Sequence, residues 1–219
     1  MQMGWKLRGR LRGLSAVGAI AIASILVALA VSGGFAAPSE GVDGSSGGFA
    51  AASGGVEESS RMRTFDFLIG AGFLCNLDPK ACPDISMAEN GDTVEISGAG
   101  TFTLHAKSVT GGGSFVHKDK DGNVLASGVW FAVKVESFKS FGSGSAQGLP
   151  PELFGGRLVL KIRLVPAGGP EHGIPGVLRV SCALGNKIPP NAIEGIRLHV
   201  HHGPNFNTEV TGFTVFVRT

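Results

Sequence analysis

The stretch RLHVHHGPNF, Arg197 to Phe206, places three histidines in four positions, and two of them, His199 and His201, alternate with the apolar Leu198 and Val200. Residues two apart on a strand project to the same side, so His199 and His201 would offer two imidazoles to one point, which is the beginning of a metal site. A complete site needs further ligands, for which His105 and His117 are the candidates; the chain would then be a metal-dependent enzyme. Arg197 falls on the same side, however, and puts positive charge where a cation would sit. A face of this kind can instead hold an anion. Arg163 and Arg179 occupy equivalent outward phases in the preceding apolar-alternating segments, and if those segments are neighbours, Arg163, Arg179 and Arg197 form a basic patch suited to an anion such as an anionic glycan, with another surface protein as the other partner expected.

Locally, LHVHHGPNFN resembles the copper-ligand HVH and the GPxFN segment of exported copper/zinc superoxide dismutases, which are Greek-key β proteins. The resemblance implies copper ligation by His199 and His201, and it covers ten of 219 residues. That family also uses a long zinc loop and further histidine ligands downstream, whereas no histidine follows His202 in this sequence.

Other chemistries find less support. HKDKDGNVLASG imitates a calcium loop through Asp119, Asp121 and Gly122, yet with Gly122 at the sixth position the first is His117 and the twelfth Gly128, where carboxylates are required. No GxSxG elbow occurs. The acids Glu95, Glu136, Glu152, Glu194 and Glu209 are scattered, and nothing selects two of them as a pair. Gly111 to Gly113 lack the Lys and Ser/Thr of a phosphate loop, so a bulge or sharp bend is expected there. The absence of tyrosine weakens a sugar-stacking surface. Trp130 falls out of phase with Val129, Phe131, Val133 and Val135, which puts it on the face of Lys134 and Glu136 as a binding residue or packed under a loop. No cofactor is implied by any of these segments.

The N-terminus decides where such a site would work. Lys6, Arg8, Arg10 and Arg12 precede an uncharged apolar run from Leu14 to about Gly34, the pattern of a secretory signal with cleavage after Ala36. A run of roughly 19 apolar residues is also long enough to stay as a membrane anchor. In either case the remainder is expected outside the cytoplasm, in contact with a membrane only through an uncleaved N-terminal segment. Without residues 1–36, 15 Lys and Arg face 17 Asp and Glu, a net charge of −2, so the basic pI belongs to the signal and gives no argument for nucleic acid. Residues 37–60 continue a tandem repeat, GGFAAPSEGVDGSS followed by GGFAAASGGVEESS, identical at ten of fourteen positions; Gly, Ala and Ser in so short a period read as a flexible linker.

Residues 61–219 are then one domain. Period-two alternation begins at Thr93, with Val94, Ile96, Phe102 and Leu104 on one side and Glu95, Thr101 and His105 on the other. Asp121-Gly122 marks a hairpin turn. Further strands are expected at Arg157–Val165, Gly176–Leu184, Ile193–His202 and Val210–Arg218, and one short helix over Asp84–Asn90 between Pro83 and Gly91. Strand after strand indicates an all-β fold, an antiparallel sandwich or a barrel, with the sandwich as first choice. Cys75 and Cys82 flank a turn-prone loop and are the expected disulfide, worth roughly 2.5 kcal/mol in the chain-entropy model; a bridge from either to Cys182 is the alternative. Cys182, in phase with Leu178 and Val180, otherwise reads as a buried thiol.

Overall fold

The computed structural model describes residues 63–219. The expected signal or anchor (1–36) and linker (37–60) lie outside the described residues. Ten strands are present: β1 (Thr64–Ile69), β2 (Asp84–Ala88), β3 (Thr93–Thr103), β4 (Val109–Lys118), β5 (Val124–Ser143), β6 (Leu153–Pro166), β7 (Ile174–Cys182), β8 (Gly195–Val200), β9 (Asn205–Thr211) and β10 (Thr214–Arg218). One short helix, α1 (Leu74–Leu77), joins β1 to β2.

Every pairing is antiparallel, and from β2 to β9 each strand pairs with the next. β9 returns to β2. The ring of eight strands is therefore closed, so the all-β expectation holds and the pairings trace its barrel form. Because the meander alternates direction, four hairpin connections (89–92, 119–123, 167–173 and 201–204) rim one end of the ring. At the other end β1 and β10 pair with each other, with β1 also on the second half of β3 and β10 on the start of β6. That end is packed with aromatic rings: Phe65, Phe102, Phe138, Phe154 and Phe216 meet at centroid distances of 5.0 to 6.0 Å.

Four expectations need correction. Asp84–Asn90 is not helical: Asp84, Ser86 and Ala88 of β2 alternate inward with partly exposed Ile85 and Met87, and polar residues in the buried phase disguise the strand. Val210–Arg218 is not one strand but two, divided at Gly212, whose φ of +120° interrupts the extended backbone. The β3–β4 register runs unbroken through Gly111 to Gly113, so the glycines there do not mark a bulge. They permit close approach instead, since a Cβ on Gly112 would lie 2.2 Å from the carbonyl oxygen of Trp130.

The fourth concerns Trp130, which is fully buried inside the ring and not on the face with Lys134. Its indole occupies the space left by Gly98, where a Cβ would come within 2.5 Å of the ring, and its Nε1 donates to the carbonyl of Ser97 at 3.2 Å. Register shifts on β5 between Ala132 and Lys134, and again between Val135 and Ser137, reset the inward phase. Trp130 and Val135 both point inward as a result, while Val129, Phe131 and Val133 point out and remain about half exposed, at 44%, 52% and 55%.

Cys75 and Cys82 form the disulfide, with Cα atoms 5.3 Å apart, and pin α1 to the start of β2. Cys182 is a free, buried thiol, as its phase indicated; burial pushes its ionisation up, helped by the carboxylate of Glu194.

Candidate functional site

Alternation along β6 sends Leu158, Leu160, Ile162 and Leu164 inward, which leaves Arg157, Lys161 and Arg163 on the outer surface. The same rule turns Arg179 outward on β7 and Arg197 and His199 outward on β8. β6, β7 and β8 are neighbours, so the condition for a shared basic patch is met. Register makes the arrangement sharper than phase alone implied. Lys139 of β5 lies directly opposite Arg157, Lys134 opposite Lys161, and Arg179 opposite Arg197. These are three like-charge cross-strand pairs, each of which is destabilising on its own.

The charge count of this wall is lopsided. The described residues hold 14 Lys and Arg against 13 Asp and Glu, yet β5 to β8 carry seven of the cations and a single acid, Glu136. Glu136 lies 3.4 Å from Lys161 and 3.6 Å from Lys134. A second carboxylate reaches in from β9: Glu209 takes Arg197 in a two-pronged contact, Nε to Oε1 at 2.6 Å and the second nitrogen to Oε2 at 3.0 Å, with Arg179 at 4.0 Å. One carboxylate thus serves two guanidiniums. The Nε atoms of Arg157 and Arg179 are buried without a partner. Burial, together with repulsion from Arg197 and Arg157, pulls the ionisation of Arg179 below the ordinary arginine range.

Beside this cluster a groove of about 360 Å³ is lined by Val133, Lys161, Arg163, Pro175, Val177, His199 and His201. Exposed Phe131 lies directly opposite Arg163, one of the lining residues, on the neighbouring strand. Of the residues the sequence nominated for binding, the structure brings Arg163, Arg179 and Arg197 onto one wall and removes Trp130 from it. Lys134, Lys139, Arg157 and Lys161 join them. The signal for β6 was present in the strict alternation of 157 to 164, whereas Lys134 and Lys139 are separated by the β5 register shifts.

His199 and His201 both face the groove, but His199 is tied through Nδ1 to the side-chain oxygen of Asn205. His201 belongs to the turn after β8 and its ring packs on that of His202, with centroids 3.9 Å apart. His105 sits in the turn after β3, and His117 contacts Asp92 at the rim of the ring. Among the described residues no group of three or more His, Cys, Asp or Glu is placed to hold a metal ion.

The fold gathers Asp84, which the sequence placed in a helix, beside Glu194 and Glu209 from the scattered acids. Asp84 is completely buried, no side chain pairs with its carboxyl oxygens, and its pKa is pushed up to about 8 by burial first and then by the nearby carboxylates of Glu194 and Glu209, against the pull of the backbone N–H groups of Ile196 and Ile85. Glu194, raised likewise by burial, accepts from the backbone N–H of Ala183 at 2.5 Å and from the N–H and hydroxyl of Thr214 at 2.7 and 2.9 Å. It ties the end of β7 to β10.

No family model matches the chain, and no match is found among curated proteins or solved structures.

Proposed function

We propose that the protein is an exported, non-enzymatic β-barrel module that binds an anionic glycan at or beyond the cell surface through the outer wall of β5 to β8. The observation that carries this reading is the set of three like-charge pairs, Lys139/Arg157, Lys134/Lys161 and Arg179/Arg197, held on neighbouring strands with two carboxylates between them. A fold selected for stability alone gains nothing from opposing its cations; a polyanion lying across the strands relieves every pair at once. The basic and then apolar N-terminal pattern and the Cys75–Cys82 bridge support an oxidising compartment outside the cytoplasm. Phe131 and Val133 give the wall an apolar border against which the carbon face of a sugar ring can rest.

Immobilised heparin eluted with a salt gradient tests the reading. The protein is expected to be retained, with an affinity that falls steeply as salt rises. The triple variant K139Q/K161Q/R163Q should weaken binding by about tenfold or more, because it removes three wall charges. A control of the same charge, K80Q/K107Q/K187Q, alters cations outside these strands and should bind like the parent. Passage of the parent through the column, or equal weakening by the two triples, overturns the reading.

A further inference from the structure

The rim of the ring holds a second cavity, on the inner side of the strands, which meets the outer groove at His201. An eight-stranded barrel has an interior just wide enough for its own side chains or for one small ligand. Here the closed end is filled by the phenylalanine cluster and the middle by Trp130, but at the hairpin end a pocket of about 190 Å³ remains between the strands. Its walls are apolar, with Phe115, Leu164, Leu198 and Phe206 among them, all of them core residues. An apolar cavity of about 150 Å³ takes a molecule the size of benzene, so this one suits a single ring with a small substituent.

The polar groups facing this space are imidazoles. His117 projects from β4 with its ring edge-on to Phe206, centroids 5.2 Å apart, and its Nε2 lies 3.1 Å from Oδ2 of Asp92 in the β2–β3 turn. An ionised carboxylate only accepts, so the contact places the proton of neutral His117 on Nε2 and leaves Nδ1 as an acceptor. Nδ1 has no protein partner among the described residues. His201 and His202 complete the rim from the β8–β9 turn. The pocket therefore joins apolar walls to imidazoles in its lining, and the Asp92 carboxylate fixes which nitrogen of neutral His117 is left free to accept.

We infer that the barrel mouth binds a small hydroxylated aromatic molecule, one ring in size, whose hydroxyl donates to Nδ1 of His117. This does not depend on the outer wall or on glycan binding. The probe is phenol, with toluene as the ligand of equal size that lacks the hydroxyl. Titration of the protein, followed by NMR of the His117 ring, should show phenol binding about tenfold more tightly than toluene, the difference expected of one hydrogen bond. H117L should lower phenol to the level of toluene while toluene is unchanged, and A126L, which fills the slot from β5, should abolish both. Equal binding of the two probes, a phenol preference that survives H117L, or no shift of the His117 ring at millimolar phenol overturns the inference. The comparison of phenol with toluene on the unaltered protein is decisive even where a variant fails to fold.

Discussion

The two outer walls of the same ring are built on opposite rules. On β3 and β4 the outward neighbours complement one another: Ser97 faces Ser114, Thr101 faces Thr110, Thr101 donates to Asp66 of β1 at 2.5 Å, and Glu95 binds Lys118 diagonally across the strands. On β5 to β8, Lys faces Arg, Lys faces Lys and Arg faces Arg. Both walls share the inward side of one core, so core packing cannot account for the difference. The first wall follows the pairing that stabilises a sheet, and the second departs from it in three places at once. Departures of that sort concentrate where a surface has another task.

The largest effect that would sharpen the contrast comes from beneath the basic wall. Asp84 is buried next to Glu209, the carboxylate that serves Arg179 and Arg197, and its pKa rises from an ordinary 3.8 to about 8. A group whose folded pKa is raised contributes stability that is complete below its unfolded value and is lost as pH climbs to the folded one. Stability should thus decline from pH 4 towards pH 8, by at most about 1.4 kcal/mol for each pH unit crossed. D84N carries no titrating proton at this position. Its melting temperature is expected to fall less than that of the parent between pH 5 and pH 9, and parallel curves would show that Asp84 is not the group responsible.

Charge substitutions test the two walls directly, with opposite signs. E95K sets a second cation beside Lys118 and should cost about 0.5–1 kcal/mol, within the range of a cross-strand pair at a partly exposed position. K139E turns the Lys139/Arg157 opposition into an attraction and should raise stability by a few tenths to about 1 kcal/mol. It should weaken heparin binding at the same time. Urea unfolding measures both, and a loss of stability in K139E comparable to that in E95K would erase the distinction between the walls.

What is legible in the sequence depends on how local the cause is. β3 can be read from its own alternation, and the hairpin at Asp121-Gly122 from its turn chemistry, which the structure completes with Asp119 accepting from the backbone N–H groups of Asp121 and Asn123 at 2.9 and 2.8 Å. Outward phases of Arg163, Arg179 and Arg197 are equally local. Their adjacency is not, because it needs the β6–β7–β8 order. Trp130 defeats the sequence reading for a specific reason: β5 has three register shifts, and a period-two pattern carried through them assigns the wrong side to everything upstream. Asp84 is hidden because its phase is buried while its chemistry is polar, and the neighbours that raise its pKa, Glu194 and Glu209, arrive from segments more than a hundred residues away.

The smallest expected effect belongs to the histidine pair at the end of β8. His199 and His201 lie at the edge of the basic wall, where Lys161 and Arg163 line the same groove and Arg197 follows the same face of β8. Both are exposed. Cations nearby disfavour a bound metal ion, and two imidazoles without a third ligand leave a site open and weak. Replacing both with alanine should change stability by no more than about 0.5 kcal/mol, the usual size for exposed positions, and melting should be indifferent to chelator in parent and variant alike. The small cost that does appear should come from the His199–Asn205 bond, so H199A should carry nearly all of it and H201A almost none. A metal ion that survives dialysis, or a drop in melting temperature on adding chelator that disappears in the double variant, would move this edge of the wall from anion binding to metal chemistry and favour a metal-dependent enzyme instead.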